Sequence, residues 1–232
     1  MKEIKIIKGI LVIGFYYLYS YIIYLLLLLL NIDISTMDDS LKVLALITMD
    51  IVPVFVLYYI YQKELKKEFV IFKDNFIKFT EENVKYWLLG LVLMSVSNYL
   101  ITLLTKSEIS NNEEIVRSMI SVFPLYSIVS IVFIAPFVEE IVFRKTFKEA
   151  IKNKYLFIIL SGIAFGLIHV ISTYETLIDL LYIIPYGIFG SVFAYMYYKT
   201  NTIFSSMSMH FIHNSFLLLV YFITHIISSF VG

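Results

Sequence analysis

The feature that most constrains this chain is the recurrence of uncharged apolar stretches about as long as a bilayer is thick. The first, Ile10 to Leu30, contains no charged residue, and about 20 apolar residues suffice for a helix to cross the hydrocarbon core. Similar runs begin near residues 41, 86, 122, 155, 176 and 202. The expected fold is all-α: a polytopic transmembrane bundle of about seven helices, eight if the last run divides. Hydrophobic residues make up 60% of the chain and the mean hydropathy is +0.86, more apolar surface than a soluble domain of this length needs. Lys2, Lys5 and Lys8 precede the first run like the start of a signal peptide. That run is too long for a cleaved signal and no small-residue cleavage site follows, so it reads as the first membrane helix.

Charge excludes some functions and orients the rest. The chain carries 18 basic and 18 acidic residues, for a net charge of zero, and no basic stripe points to nucleic acid. It has no cysteine, so disulfides, thiolate nucleophiles and cysteine-ligated metals are excluded. In chain order, helices are predicted over about 9–31, 41–61 and 86–105, then from near Val122 past Glu139 and Glu140 to about Lys148, then over about 155–172, 176–198 and 202–229. Between the second and third lies the most charged stretch, Gln62 to Lys85. Its Leu65, Phe69, Phe72, Phe76 and Phe79 recur at helical spacing, which predicts an amphipathic helix at the cytoplasmic interface. Glu108, Glu113 and Glu114, with Lys106 and Arg117, read as an acidic loop. Lysine and arginine gather at the N-terminus, in 62–85, in 144–154 and at Lys199. The positive-inside rule then gives a cell-membrane protein with a cytoplasmic N-terminus. Residues 1–120 read as N-terminal membrane helices and 121–232 as the part that carries chemistry, all in one structural unit.

A small set of polar residues sits inside these apolar runs. In Pro136-Phe-Val-Glu-Glu-Ile-Val-Phe-Arg144, Glu140 and Arg144 are four apart and share a helix face with the acid first, the better order for an ion pair. Glu139 is turned about 100° away from Glu140. Ionisable groups at membrane depth are functional candidates by default. His169 closes Phe165-Gly-Leu-Ile-His169, roughly on the face of Gly162 and Gly166, two small residues that allow close helix approach. His210 and Asn214 are four apart on the last run, with His213 within reach and His225 farther along. Taken singly, each has a structural explanation: a solvated charge, or a histidine bonded to a neighbouring helix. Together they place two carboxylates, an arginine, histidines and an asparagine on three apolar helices in the second half of the chain. Converging on one buried cavity, they make a general base beside nitrogen ligands or oxyanion donors, the equipment for hydrolysing an acyl bond with activated water. Asp50, also in an apolar run, is expected to pack against a neighbouring helix or mark an access path.

Glu139-Glu140-x-x-x-Arg144, Phe165-x-x-x-His169 and His210-x-x-x-Asn214, in this order, resemble the three signatures of the CPBP family, which comprises type II CaaX prenyl proteases and bacteriocin-processing or immunity (Abi) proteins. The resemblance covers about Pro124 to the end. It implies an intramembrane endopeptidase, usually called a metalloprotease, acting on a membrane-associated peptide or protein within the lipid bilayer. By position, Glu139 would activate water, Glu140 would support it and pair with Arg144, His169 would position the water or ligate a metal, and His210 and Asn214 would stabilise the oxyanion. A zinc site on Glu139, His169 and His210 meets the three-ligand minimum, and a metal-free mechanism is also open for such proteins. The alternative functions are bacteriocin self-immunity or a cell-envelope scaffold on the same fold, without catalysis. A transporter or channel is a third, for which no inverted repeat is seen. Cleavage near the cytoplasmic face is expected, with the catalytic cavity well below it.

Overall fold

The structure is a computed structural model and describes residues 2–105 and 109–231. Eight helices form its framework, and the described residues contain no strand. They are α1 (Lys2–Leu29), α2 (Asp39–Asp74), α3 (Phe76–Thr105), α4 (Asn111–Val122), α5 (Pro124–Ala150), α6 (Lys154–Val170), α7 (Ile183–Thr200) and α8 (Ile203–Val231). Among the described residues, six helices are long and apolar enough to cross a membrane: α1, α2, α3, α5, α7 with its 3-10 lead-in from Leu177, and α8. α6 is apolar but has only 17 residues, about 25 Å at helical rise. The expected polytopic bundle is therefore the fold.

Three boundaries differ from expectation, each for a local reason. The amphipathic stretch 62–85 is not a helix of its own. Its first half continues α2 and its second half opens α3, with an elbow at Asn75, whose backbone N–H caps the end of α2 on Phe72 O. The phenylalanines keep helical period because they continue the phase of α2. Leu65 is buried in the core, and Phe69 and Phe72 pack on Phe204 of α8. The second difference is α4, in what reads as an acidic loop. Ser110 caps it by accepting from the Glu113 amide, Glu113 and Glu114 lie in its first turn where the helix dipole favours acids, and Glu113 pairs with Arg117 at 2.9 Å. Lys106 and Glu108 lie outside the described residues. Third, the last apolar run stays whole as α8. The eighth helix is α4, not a divided seventh.

α5 starts at Pro124, where a missing N–H costs nothing, and runs past the glutamate pair to Ala150 as expected. It is not uniform. Ser130–Ile134 and Glu140–Lys145 are π-helical turns, wider than α and frequent at functional sites.

α6 and α7 are the most extensively packed pair. Their contact is made by Gly162 and Gly166 on one side and Gly187 and Gly190 on the other. A Cβ on Gly190 would stand 2.8 Å from Gly162 Cα, and one on Gly166 would stand 2.5 Å from Ile183 O. Both obstacles are backbone, so the helices themselves would have to part. Gly190→Ala is expected to lower the stability of the purified protein by about 1–3 kcal/mol, the usual cost of overpacking, read as a drop in thermal midpoint in detergent. An unchanged midpoint would mean that α6 and α7 do not meet at Gly190.

Alternating helices bring one set of ends together at a lysine-rich pole. Lys8 pairs with Glu64 and Glu149, Lys199 pairs with Glu82, and Lys148 donates to Tyr197 O and Asn201 Oδ1. Glu68 of α2 is the hub. Its carboxylate accepts from Lys145 Nζ and Tyr197 OH and caps α8 by accepting from the Ile203 amide at 2.7 Å. The opposite pole carries α4 and the 3-10 turn Leu177–Tyr182. There Asn111 donates to Thr173 O. On the same side Asp50 accepts from Tyr126 OH and Ser130 Oγ, tying α2 to α5.

Candidate active site

Pro136 sets the local shape of α5 at the site. The π-turn pairs Ala135 N–H with Ser130 O, five residues back. The next carbonyl, Ile131 O, would look to residue 136, which is proline and has no N–H to give. A carbonyl left unpaired in an apolar interior is costly. Asn214 of α8 meets the need, donating from Nδ2 to Ile131 O at 2.8 Å. This bond joins the helix of the glutamates to the helix of His210. Asn214 keeps a second N–H and its carbonyl oxygen, and it lines the cavity described below.

The second π-turn carries Glu140 and Arg144. Both side chains are completely buried, with Arg144 Nε 3.3 Å from Glu140 Oε1. The guanidinium lies between two rings, its Cζ 4.1 Å from the centroid of Phe165 and 5.5 Å from that of Phe193. A buried, desolvated cation over ring faces is favourable. Glu140 Oε1 is also 3.0 Å from His210 Nδ1. A carboxylate in an ion pair accepts, so the imidazole carries its proton on Nδ1 and turns Nε2 toward Glu139, 3.7 Å away. That gap is too long for a direct hydrogen bond and suits a bridging water. Phe193 stacks on the His210 ring at 4.6 Å.

His169 is held just as firmly. Its Nδ1 lies 2.8 Å from Phe165 O, an acceptor only, so Nδ1 is the donor and Nε2 is left for the cavity. Tyr186 of α7 stacks on its other side at 4.5 Å and 18°. Glu139, His169, His210, His213 and Asn214 all line one cavity of about 280 Å³. Glu140 and Arg144 do not reach it and stand behind His210. The three motifs thus converge, in two layers. Along their helices, His210 lies about 10 Å from the start of α8, Glu139 about 16 Å from the end of α5 and His169 about 22 Å from the start of α6, all deep from the lysine-rich pole.

Several contributors carry no signal in the sequence. Phe193 looks like ordinary core, and Phe165, although it opens the second motif, gives no hint that its ring lies under Arg144. Tyr186 is one of 19 tyrosines, yet its hydroxyl meets Ser110 Oγ at 3.0 Å and Asn112 Nδ2 at 3.1 Å, so it fastens α4 to the site. Tyr186→Phe is expected to keep the His169 stack and lose these bonds, at about 1 kcal/mol each. Faster hydrogen exchange confined to residues 111–122 would report it, and unchanged exchange there would refute it. His213, within reach of His210 on the sequence, is buried with its ring on Phe189 at 3.8 Å. His225 is exposed, beside Tyr221.

The zinc set needs three donors about one point. Among the described residues no group of three His, Asp or Glu side chains stands close enough to hold a metal ion. His169 spends Nδ1 on Phe165 O and His210 spends Nδ1 on Glu140, and each keeps Nε2 free, as ligand histidines do. Glu139, His169 and His210 share a cavity, but they are not gathered about one point.

Residues 121–216 match the family model described as type II CAAX prenyl endopeptidase Rce1-like. The resemblance is to the Rce1-like family. The matched segment contains all three motifs, from Glu139 to Asn214. Relatives are distant. The protein named "Putative membrane peptidase YdiL" from Bacillus subtilis (strain 168) is 30% identical over 114 residues, 48% of this chain and 43% of that protein. The UPF0177 protein YxdF of Lactococcus lactis subsp. lactis (strain IL1403) is 27% identical over 131 residues, 54% of this chain and 70% of the relative. An uncharacterized protein of Mycoplasma capricolum subsp. capricolum (strain California kid) is 36% identical over 92 residues, 39% of this chain and 26% of its own length. The match thus spans less than half of the YdiL and Mycoplasma proteins. No solved structure matches the chain.

Proposed function

We propose that the chain is an intramembrane endopeptidase that hydrolyses a peptide bond of a membrane-associated peptide or protein with water activated by Glu139. One observation carries this reading: Glu139 and His210 Nε2 stand 3.7 Å apart on the wall of a cavity that His169 and Asn214 also face. The Rce1-like match supports it, as does the relative named a membrane peptidase.

The chemistry follows from the fixed protons. A water between Glu139 and His210 gives one proton to the Glu139 carboxylate as its oxygen attacks the scissile carbonyl, breaking the C=O π-bond and forming a tetrahedral oxyanion. His210 donates from Nδ1 to Glu140 and accepts the water's second hydrogen at Nε2, which fixes the water for attack. The free N–H of Asn214 donates to the oxyanion. Collapse of the intermediate breaks the C–N bond, and Glu139 returns the proton to the leaving nitrogen. Glu140 and Arg144 touch no substrate in this scheme. They hold His210 in the ring orientation that it needs, as a carboxylate does for a ligand histidine.

The test is cleavage of a library of apolar peptides by the purified protein, with wild type and Glu139→Ala side by side and metal content measured on the same samples. Cleavage lost in Glu139→Ala supports the reading. Equal cleavage in both would overturn it in favour of an immunity or scaffold role on this fold, where Glu139, His169 and His210 form only a structural polar network. Cleavage that tracks bound metal would replace Glu139-activated water by a metal-bound nucleophile.

A further inference from the structure

The two poles of the bundle are closed to different degrees. From the lysine-rich pole, the way to Glu139 is filled. Tyr61, Phe157, Tyr197 and Ile203 are all buried there, as are Glu140 and Arg144. The Glu68 carboxylate knots α2, α5, α7 and α8 together across this plug through Lys145, Tyr197 and Ile203. Polar bonds among buried groups, with apolar packing beneath them, leave no path for water or chain.

Toward the other pole the space is open. The cavity at Glu139 is walled by α4 through Asn112, Glu113, Val116 and Ile120. A second cavity of about 320 Å³ adjoins it, and the two share Met94, Glu113, Pro185, Tyr186, Leu217 and Tyr221 as walls. Asn98 of α3 and Arg117 of α4 line only the second. Arg117 is exposed, pairs with Glu113 at 2.9 Å and lies over the Tyr221 ring of α8 at 5.6 Å. It therefore bridges α4 to α8 beside the mouth.

We infer that substrate reaches Glu139 from the α4 pole, through the opening between α3, α4 and α8, as an extended apolar segment whose path runs along Tyr186 and Tyr221 and past the Glu113–Arg117 pair. The inference deepens the endopeptidase reading and rests on it for the word substrate. It reverses the side of access expected from the sequence. In the orientation that the lysines predict, the α4 pole faces outward, so the peptide bond is presented from the external side. α4 is the specificity-determining element, since its Glu113 walls both cavities and pairs with Arg117, which lines the second.

Access can be measured without catalysis, so failure here is separable from failure of the endopeptidase reading. The chain has no cysteine, and a single Ala135→Cys places a thiol on the cavity wall one turn before Glu139. The probe is a permanently cationic, membrane-impermeant methanethiosulfonate, applied to intact cells and to inverted vesicles. Glu114→Cys on α4 and Lys152→Cys at the lysine-rich pole, both exposed, report which side each pole faces. Ala135→Cys is expected to react from the side that labels Glu114→Cys, at least about tenfold faster than from the other, where the reagent must wait for local opening. Adding Asn98→Trp, which fills the second cavity, is expected to slow labelling about tenfold by the same barrier. Gel filtration would verify that each variant is folded. Labelling from the Lys152 side, labelling from neither side while both reporters react, or a rate indifferent to Asn98→Trp would each overturn the inference.

Discussion

Glu139→Gln is expected to lower kcat/KM for peptide cleavage by about 10²–10⁴, the span that a positioned general base contributes, while the protein accumulates and unfolds like wild type. The argument is geometric. Glu139 makes no ion pair with Arg144, whose partner is Glu140. Its one partner within ion-pair distance among the described residues is His210 Nε2, at 3.7 Å, and the amide is nearly isosteric, so the buried layer behind it stays intact. What is lost is the ability to take a proton from water and return it to the leaving nitrogen. If the loss were shared between activity and stability, Glu139 would belong to the structural layer. If activity were retained, the carboxylate would not be the base and the mechanism proposed above would fall.

Arg144→Met is expected to be the most destabilising substitution in the molecule, by about 3–5 kcal/mol, because removing one partner of a buried ion pair leaves the other charge uncompensated. Methionine is long enough to keep much of the contact with Phe165 and Phe193, so the loss reports charge more than volume. The double variant Glu140→Gln/Arg144→Met isolates this. With the stranded carboxylate neutralised it should recover most of the stability, since replacing both members of such a pair by groups of similar shape is often nearly neutral. Arg144→Lys should fall between the two, because an ammonium keeps the charge and loses the planar stack over the rings. Thermal midpoints in detergent give the ranking. A double variant as unstable as Arg144→Met alone would show that packing, not charge pairing, holds the residue. The double variant should still lose activity, because His210 then has no carboxylate to hold its Nδ1–H, and that outcome separates positioning from stability.

Much of this is legible in the amino-acid sequence. Apolar runs of membrane length dictate the helical bundle, because a backbone in lipid must bond within its own segment. The i,i+4 spacing of Glu140 with Arg144, and of His210 with Asn214, put each pair on one helix face, and those faces do meet. The small-residue face of Gly162 and Gly166 announced the tight α6–α7 contact. These are local properties, fixed by helical period and the low polarity of the surroundings.

What the sequence could not give depends on which helix lies against which. α4 reads as a loop because its acids mask a capped helix, and only its bonds to Tyr186 reveal that it walls the cavity. The 62–85 stretch reads as a surface helix because its aromatics keep period, but whether that stripe meets lipid or Phe204 depends on the neighbour. The division of labour between the adjacent glutamates, one on the cavity wall and one sealed behind His210, follows from the π-turn and from the position of α8. Period and charge belong to the chain. The partner that satisfies Ile131 O, the carboxylate that orients His210, and the pole left open are set by packing, because each depends on atoms distant in sequence that only the tertiary fold brings within a few ångströms.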